Sequence, residues 1–478
     1  MTAIINFLND ALWGSILIYL LLGVGLLFTV RLGGIQFRHF RHMFSVLRRG
    51  HHADQSGISS FQALCTGLAA RVGTGNLAGV AMAIYLGGPG AIFWMWVTAL
   101  LGMSTAFVES TLAQLYKVKD DQGNYRGGPA YYMEKGLGAR WMGVLFSLFL
   151  ILAFGLVFNA VQANSISAAL QGAFEVPAWV TGVVLAVMTG LIIFGGIRAI
   201  ARFSELVVPV MALAYILVAL VVVVMNIDKL PSVFTLILHS AFGLEQAGAG
   251  ALGYAVAQGM MQGIKRGLFS NEAGMGSAPN TAATAAPFPP HPAAQGYTQM
   301  LGVFLDTVVI CTCTASIILL SDAFVPGNEV TGIRLTQQAL SAHIGDFGHT
   351  FIACAVFFFA FTSIVANYAY AENNLVFLEH NHPAGLRLFR TAVLGMVMFG
   401  AVGELPLVWS MADVAMALMA MTNLVALLLL SGTAVKLARD YNMQRKLGKV
   451  PCFDASRYPE LQGQIEPDIW TVPARADR

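Results

Sequence analysis

The stretch Ala69-Ala70-Arg71-Val72-Gly73-Thr74-Gly75-Asn76 sets two glycines around a hydroxyl and follows them with an amide. Glycine costs a helix about 1 kcal/mol relative to alanine, so a helix is expected to open here. The N–H and C=O groups that open need partners. A bound carboxylate suits the N–H groups and a bound cation suits the carbonyls. The other reading is a packing notch of small residues, which leaves Arg71 and Asn76 unused. A second stretch of the same kind lies within Gly259–Pro279. It contains Gly263, Lys265, Arg266, Gly267, Phe269, Ser270, Asn271, Glu272, Gly274 and Gly276. Charged side chains at membrane depth cost several kcal/mol and so line cavities or pair. Alternatively, this segment is a loop re-entering from the cytoplasmic side.

Further polar groups interrupt apolar runs. Gln162 shares a helical face with Asn159 in Asn159-Ala160-Val161-Gln162-Ala163-Asn164. It points to a site, whereas Asn159 and Asn164 serve equally well as hydrogen bonds between helices. Thr362 and Ser363 follow a run of phenylalanines, and hydroxyls there either bond back to their own helix or hold a hard cation. Glu109, Glu272, Asp306 and Glu372 are acids in apolar surroundings, and they keep proton relay open as an alternative. Ser270 and Asn271, with the Phe269 carbonyl, are candidate acceptors for an ammonium group. Small residues (Gly73, Gly75, Ser270) beside Phe269 and Phe359 favour a small ligand. His51-His52 with Asp54 has only weak metal-like spacing in a basic loop. No nucleophilic triad or phosphate loop is present, which argues against an enzyme. The five cysteines form no CxxC and are expected as core residues.

The elements that position these groups follow from composition. Of 478 residues, 57% are hydrophobic and 11% charged, too few charges to cover a water-soluble body of this length. A net charge of +2 leaves no footprint for nucleic acid. The N-terminus lacks the pattern of a signal peptide. About eleven apolar runs are long enough to span a bilayer: 12–30, 59–86, 89–116, 141–170, 177–195, 203–225, 247–275, 297–320, 348–378, 386–403 and 406–435. The fold class expected is an all-α polytopic membrane protein, with no strands. Arg31, Arg38, Arg41, Arg48, Arg49, Lys117, Lys119, Arg126, Lys135, Arg140, Arg198, Arg202, Arg387, Arg390 and the basic tail all fall on one side. The opposite loops carry only Lys229 and Arg334. That asymmetry puts the N-terminus outside and the C-terminus in the cytoplasm.

Counting from each glycine-interrupted segment gives five spans in 59–226 and five in 247–435. Five is odd, so the halves have opposite orientation, and paired interruptions at matching places mark a transport site. The expected organisation is therefore an extra N-terminal helix with a basic cytoplasmic segment (1–58), a first five-helix repeat (59–226), an external connection (227–246), a second repeat (247–435) and a partly disordered cytoplasmic tail (436–478).

Several long motifs carry a family resemblance. These are Gly73-Thr74-Gly75-Asn76-Leu77-Ala78-Gly79-Val80-Ala81, Gly87-Gly88-Pro89-Gly90-Ala91-Ile92-Phe93-Trp94-Met95-Trp96 and Tyr125-Arg126-Gly127-Gly128-Pro129-Ala130-Tyr131-Tyr132-Met133. Gln262-Gly263-Ile264-Lys265-Arg266-Gly267-Leu268-Phe269-Ser270-Asn271-Glu272-Ala273-Gly274 and Phe304-Leu305-Asp306-Thr307 complete them. From about residue 12 to 440 the chain resembles the alanine/glycine:cation symporter family. The resemblance implies a leucine-transporter-like fold and sodium-coupled symport of a small neutral amino acid in the cell inner membrane. It implies that the backbone of Thr74 and Gly75, with the half-helix starting near Asn76, receives the carboxylate. It also implies a sodium site made of the Ala69, Val72 and Phe359 carbonyls and the Thr362 and Ser363 hydroxyls. Sodium is the only coupling ion implied, with no organic cofactor. The partners expected are the amino acid, sodium and the lipid bilayer; oligomeric state is left open. Proton-coupled amino-acid symport is the nearest alternative, and an ion channel a more distant one.

Overall fold

The computed structural model describes residues 2–194, 196–243, 249–321, 323–325, 330–379 and 383–470. The end of the expected external connection, the first residues of the expected second repeat and the last eight residues of the tail lie outside the described residues.

The labelled helices are α1 (Ile18–Arg31), α2 (Ser60–Arg71), α3 (Val80–Gly87), α4 (Ala91–Leu115), α5 (Arg140–Phe174), α6 (Ala178–Ile193), α7 (Gly196–Met225), α8 (Ala249–Asn271), α9 (Pro279–Ala283), α10 (Pro292–Leu319), α11 (Phe347–Glu379), α12 (Pro383–Val402) and α13 (Leu405–Lys446). Among the described residues seven helices are long and apolar enough to cross a membrane: α4, α5, α7, α10, α11, α12 and α13. The other four expected spans are the short α1 and α6, the interrupted α2–α3, and α8, which carries Lys265 and Arg266. Each expected span therefore has its helix. The chain is a polytopic helical membrane protein. On α7, Leu206, Val210, Leu213, Leu217, Leu220 and Val224 are exposed, while Val208, Met211, Tyr215, Ala219 and Val222 are buried. Two apolar faces at helical spacing, one of them open, are what lipid on one side and protein on the other require.

Two helices are interrupted. α2 starts on a capping box, in which Ser59 Oγ accepts from Gln62 N and Gln62 Oε1 from Ser59 N. It ends where Val72 takes ψ 84, and the chain resumes at Gly75 in a π-helical turn that leads into α3. The second interruption lies after, not within, the Phe269–Ser270 turn: α8 is continuous to Asn271. Then Glu272 (φ 59), Gly274 (φ 95) and Gly276 (φ 82) enter the left-handed region, which glycine tolerates and glutamate rarely adopts.

Short strands appear where none was expected. β1 (Ile58–Ser59) pairs in parallel with β4 (Ala285–Ala286). β2 (Val118–Lys119) and β3 (Tyr125–Arg126) form an antiparallel pair. All lie in connecting segments. The first pairing has a consequence for topology. α2 departs just after β1 and α9 arrives just before β4, so the two interrupted helical segments run in opposite directions.

The expectation of a partly disordered tail is corrected for residues 447–470. α13 continues to Lys446, and the chain then folds back. Phe453 N donates to Pro290 O at 2.9 Å, Trp470 Nε1 to Leu115 O at 3.3 Å and Lys135 Nζ to Glu466 Oε1 at 2.7 Å. Phe453, Leu461 and Trp470 are buried. Prolines stop regular helix here, but these three spaced hydrophobic side chains, with Ile465 as a fourth, still anchor the segment.

Candidate functional site

At the first interruption the backbone has lost its helical partners in an ordered way. Gly73 N donates to Asn76 Oδ1 at 2.9 Å and Thr74 N to Gln162 Oε1 at 2.9 Å. In a continuous helix these N–H groups would close on the carbonyls of Ala69 and Ala70. Two side-chain amide oxygens thus replace backbone acceptors, and two carbonyls are left for other donors. Gln162 reaches the break from α5, as its place in the apolar run suggested. Asn159 and Asn164 do not: Asn159 bonds to Gly155 O and Asn367, and Asn164 to the carbonyls of Gly400 and Gly403. Among the described residues the buried Thr74 hydroxyl has no partner. Gly75 lets the second interrupted helix come close, since a Cβ there would lie 2.9 Å from Phe269 Cδ1 and 3.3 Å from Ser270 Cα.

The end of α8 mirrors this opening. Ala273 N donates to Asn271 Oδ1 at 2.9 Å and Gly274 N to Glu109 Oε1 at 3.2 Å. The carbonyls of Phe269 and Ser270 are thereby released from the helix at its partially negative end. Asn271 sets the turn rather than facing Asn76 and Thr74, a role its type could signal but its position could not. Ser270 Oγ donates to Asp306 Oδ2 at 2.7 Å, and Asn76 Nδ2 lies 2.7 Å from Asp306 Oδ1 and 3.1 Å from Ser270 Oγ. Thr307 Oγ1 also donates to Asp306 Oδ2, at 2.7 Å, and Cys311 Sγ approaches Ser270 and Asn76. Asp306 is the hub of this cluster. The sequence marked it only as an acid in an apolar run; the π-helical segment Phe304–Cys311 aims it here. Phe269 closes the site with Phe158 and Trp409, at ring distances of 4.8 and 4.9 Å.

On α11, Ser363 Oγ lies 2.8 Å from Ala69 O and 3.0 Å from Phe359 O, and Thr362 Oγ1 lies 2.9 Å from Phe359 O. The bonding of the hydroxyl pair back to its own helix is what the structure shows, and Ser363 also bridges to the freed Ala69 carbonyl. Val72, at the turn, directs its carbonyl away from the helix line. A Cβ on Gly73 would collide with Ser363 Oγ. The donor set is oxygen throughout, which fits a hard monovalent cation.

Thr74, Asn76, Ser270, Asp306, Thr362 and Ser363 are all fully buried, so the site is closed. A cavity of about 500 Å³, lined by Asn164, Ser165, Ser167, Arg334, Gly403 and Leu405 among others, lies at the α5 end away from the strands. Arg71 is buried as well. Among the described residues it forms no ion pair with Glu109, Glu272 or Asp306; Nη1 donates to Gln299 O at 3.4 Å, and Nε and Nη2 have no partner. Glu109 is held by Gly274 N and Asn423 Nδ2, and Glu272 by Ser277 Oγ at 2.6 Å. No group of three or more metal-binding His, Cys, Asp or Glu occurs among the described residues.

The chain is 52% identical to the "Uncharacterized transporter YaaJ" of Escherichia coli, over 97% of this chain and 98% of that one. It is 50% identical to the "Probable sodium/glutamine symporter GlnT" of Bacillus subtilis, over 94% and 92%. It is 42% identical to the "Sodium/alanine symporter AgcS" of Methanococcus maripaludis, over 93% and 98%. The model of the sodium:alanine symporter family matches residues 1–455. With that match and these identities, the chain belongs to the sodium:alanine symporter family, whose members are transporters and not enzymes.

Proposed function

We propose that the protein is a sodium-coupled symporter of a small neutral amino acid, alanine or glycine, working by alternating access in the cell inner membrane with its N-terminus outside and its C-terminus cytoplasmic. The observation that carries the reading is the double opening of α2–α3 and α8. One break offers N–H groups held only by side-chain amides; the other offers freed carbonyls beside Asp306. A zwitterion needs both. Its carboxylate takes over the Thr74 N–H from Gln162, meets that of Gly75 and gains the positive end of the half-helix beyond Asn76. Its ammonium meets the Phe269 and Ser270 carbonyls, with Asp306 as the counter-charge. Sodium is held by the carbonyls of Ala69, Val72 and Phe359 and the hydroxyls of Thr362 and Ser363.

Coupling follows from geometry. Ala69 and Val72 end the half-helix whose far side binds the carboxylate, so a cation that orders the break raises amino-acid affinity. One cation moving through 100 mV supplies about 2.3 kcal/mol, and a tenfold gradient adds about 1.4 kcal/mol. The opposite running of the two interrupted segments supports a five-plus-five inverted repeat over 59–226 and 247–435. The distribution of Lys and Arg supports the orientation. The name of one relative points to alanine and that of another to glutamine; the close approach of Phe269 to Gly75 favours the smaller.

Radiolabelled alanine uptake into proteoliposomes, with sodium or potassium outside and an inside-negative potential, tests the reading. Accumulation should require sodium and should be lost in Asn76→Ala. A second reading rests on Glu109, Glu272 and Asp306, which are buried without an ion pair among the described residues. If alanine accumulates equally in potassium and follows an acidic exterior, protons replace sodium as the coupling ion.

A further inference from the structure

Lys265 and Arg266 are not used by the site described above, yet both are buried and both reach one carboxylate. Arg266 Nη2 lies 2.8 Å and Lys265 Nζ 3.5 Å from Asp413 Oδ2 on α13. The guanidinium lies 4.6 Å over the Trp409 ring and the ammonium 5.2 Å from that of Trp13. Trp13 Nε1 donates to Asp413 O at 3.1 Å. Trp409 in turn packs on Phe269. Arg266, Phe269 and Ser270 are spaced i, i+3, i+4, so they share one face of α8. Arg266 sits one turn from Ser270 toward the α8 N-terminus, away from the β1–β4 pairing at the other end of this segment.

The pairing is incomplete in a telling way. Among the described residues, Arg266 Nε and Nη1, Asp413 Oδ1 and Trp409 Nε1 are buried without partners. Each orphaned group carries an unrecovered desolvation penalty, so separation that admits water recovers part of it. Separation of a buried ion pair normally strands a charge and is strongly unfavourable. Here Lys265 Nζ stands beside the same oxygen as a second cation, within reach of the carboxylate should the Arg266 contact lengthen. Two cations on one carboxylate give a contact that closes and opens at small cost, which a static fastener does not need.

We propose that Arg266, Asp413 and Trp409 form a latch between α8 and α13 that closes the substrate site on the side opposite the basic loops, with Lys265 as the reserve partner of Asp413. Arg266 is a positioning residue: its bond to α13 fixes the turn that presents Phe269 and Ser270. Opening the latch swings that turn away and exposes the site. This rests on the transport reading above.

The test uses Gln262→Cys as a reporter, one turn before Arg266 and 8% exposed, with the parent chain as the blank for native thiols. A membrane-impermeant thiol reagent is added to sealed vesicles with and without alanine and sodium. Arg266→Gln should speed labelling about tenfold or more, remove its suppression by alanine, and raise the alanine KM more than it lowers kcat. Arg266→Lys should recover part of each effect. Labelling and KM at the parental values in Arg266→Gln would overturn the latch. Lys265→Met serves should Arg266→Gln not elute as a folded protein. It leaves the Arg266–Asp413 contact but removes the reserve partner, so labelling and kcat should both fall while KM does not rise. Parental labelling and kcat in that variant also overturn the proposal. Labelling rates without substrate judge the latch alone, whereas sodium-independent uptake by the parent removes the symport reading and leaves the latch measurement standing.

Discussion

Ser363 makes the bond that joins α11 to the freed Ala69 carbonyl, so it has the most to lose by truncation. In Ser363→Ala the sodium concentration for half-maximal uptake should rise about tenfold, the equivalent of one lost ligand or hydrogen bond of about 1–1.5 kcal/mol. Maximal uptake at saturating sodium should change less. A sodium titration of alanine uptake measures this. An unchanged titration with a lowered melting temperature would reduce the hydroxyl to a helix fastener. At this scale the sequence was readable where a polar side chain interrupts an apolar run. Asn76, Gln162, Ser270, Thr362 and Ser363 stand out in this way, and the structure brings all but Thr362 to the two breaks; the Thr362 hydroxyl reaches Phe359 O and Met211 Sδ instead. It was unreadable where the role depends on a distant partner. Asp306 and Asn76 are 230 positions apart, and no spacing rule joins them. Asn271 belongs to the same lesson, since its amide could serve a ligand or a turn and only the path of Ala273 decides.

Between elements, the close approach of the two interrupted helices depends on glycines that contribute no side chain. Gly75→Ala should raise the alanine KM about tenfold, because the added methyl meets Phe269 Cδ1 at 2.9 Å and overpacking costs about 1–3 kcal/mol. Phe269→Leu combined with it should recover part of the loss by withdrawing the ring edge. Uptake kinetics of the single and double variants decide the point, and a Gly75→Ala protein with parental KM would mean that the breaks move apart freely. The existence of both interruptions was legible from glycine and polar content. The position of the second was not. Glycines 263 and 267 sit inside α8, and Gly263 exists for packing: a Cβ there would come within 2.6 Å of Trp94 Cβ. Glycine for a turn and glycine for close packing look alike in a sequence. Only Gly274 and Gly276 carry the left-handed backbone that needs them.

Across the whole molecule the folded tail ties together segments far apart in the chain, and it offers a test of stability and orientation together. Residues 447–470 contact Pro290, Leu115 and Lys135, and Tyr116 OH reaches Gln464 Oε1 at 3.4 Å. Disorder was expected from prolines and polarity; what that composition concealed is that a few aromatic anchors suffice when a built surface already awaits them. Trp470 is the central anchor, packed on Phe453 at 5.4 Å and lying beside the Lys117 ammonium. Its burial contributes about 2–3 kcal/mol, and the tail has few other large apolar contacts. In Trp470→Ala the tail should therefore open locally while the helical body stays folded. Trypsin cleavage after Lys449 and Arg457 should accelerate at least about tenfold, following the larger population of the open form. The melting temperature of the helical body should move little. Performed on inverted membrane vesicles the cleavage is expected, and on right-side-out vesicles it is not, because the basic loops and the tail share the cytoplasmic side in the proposed orientation. Cleavage in right-side-out vesicles alone would reverse that orientation. Equal, slow cleavage of parent and variant in inverted vesicles would mean that the tail is held by its ion pairs, Lys135–Glu466 and Lys436–Glu460. Pairs so exposed usually contribute less than about 1 kcal/mol each, which is why the aromatic anchor is expected to decide the outcome.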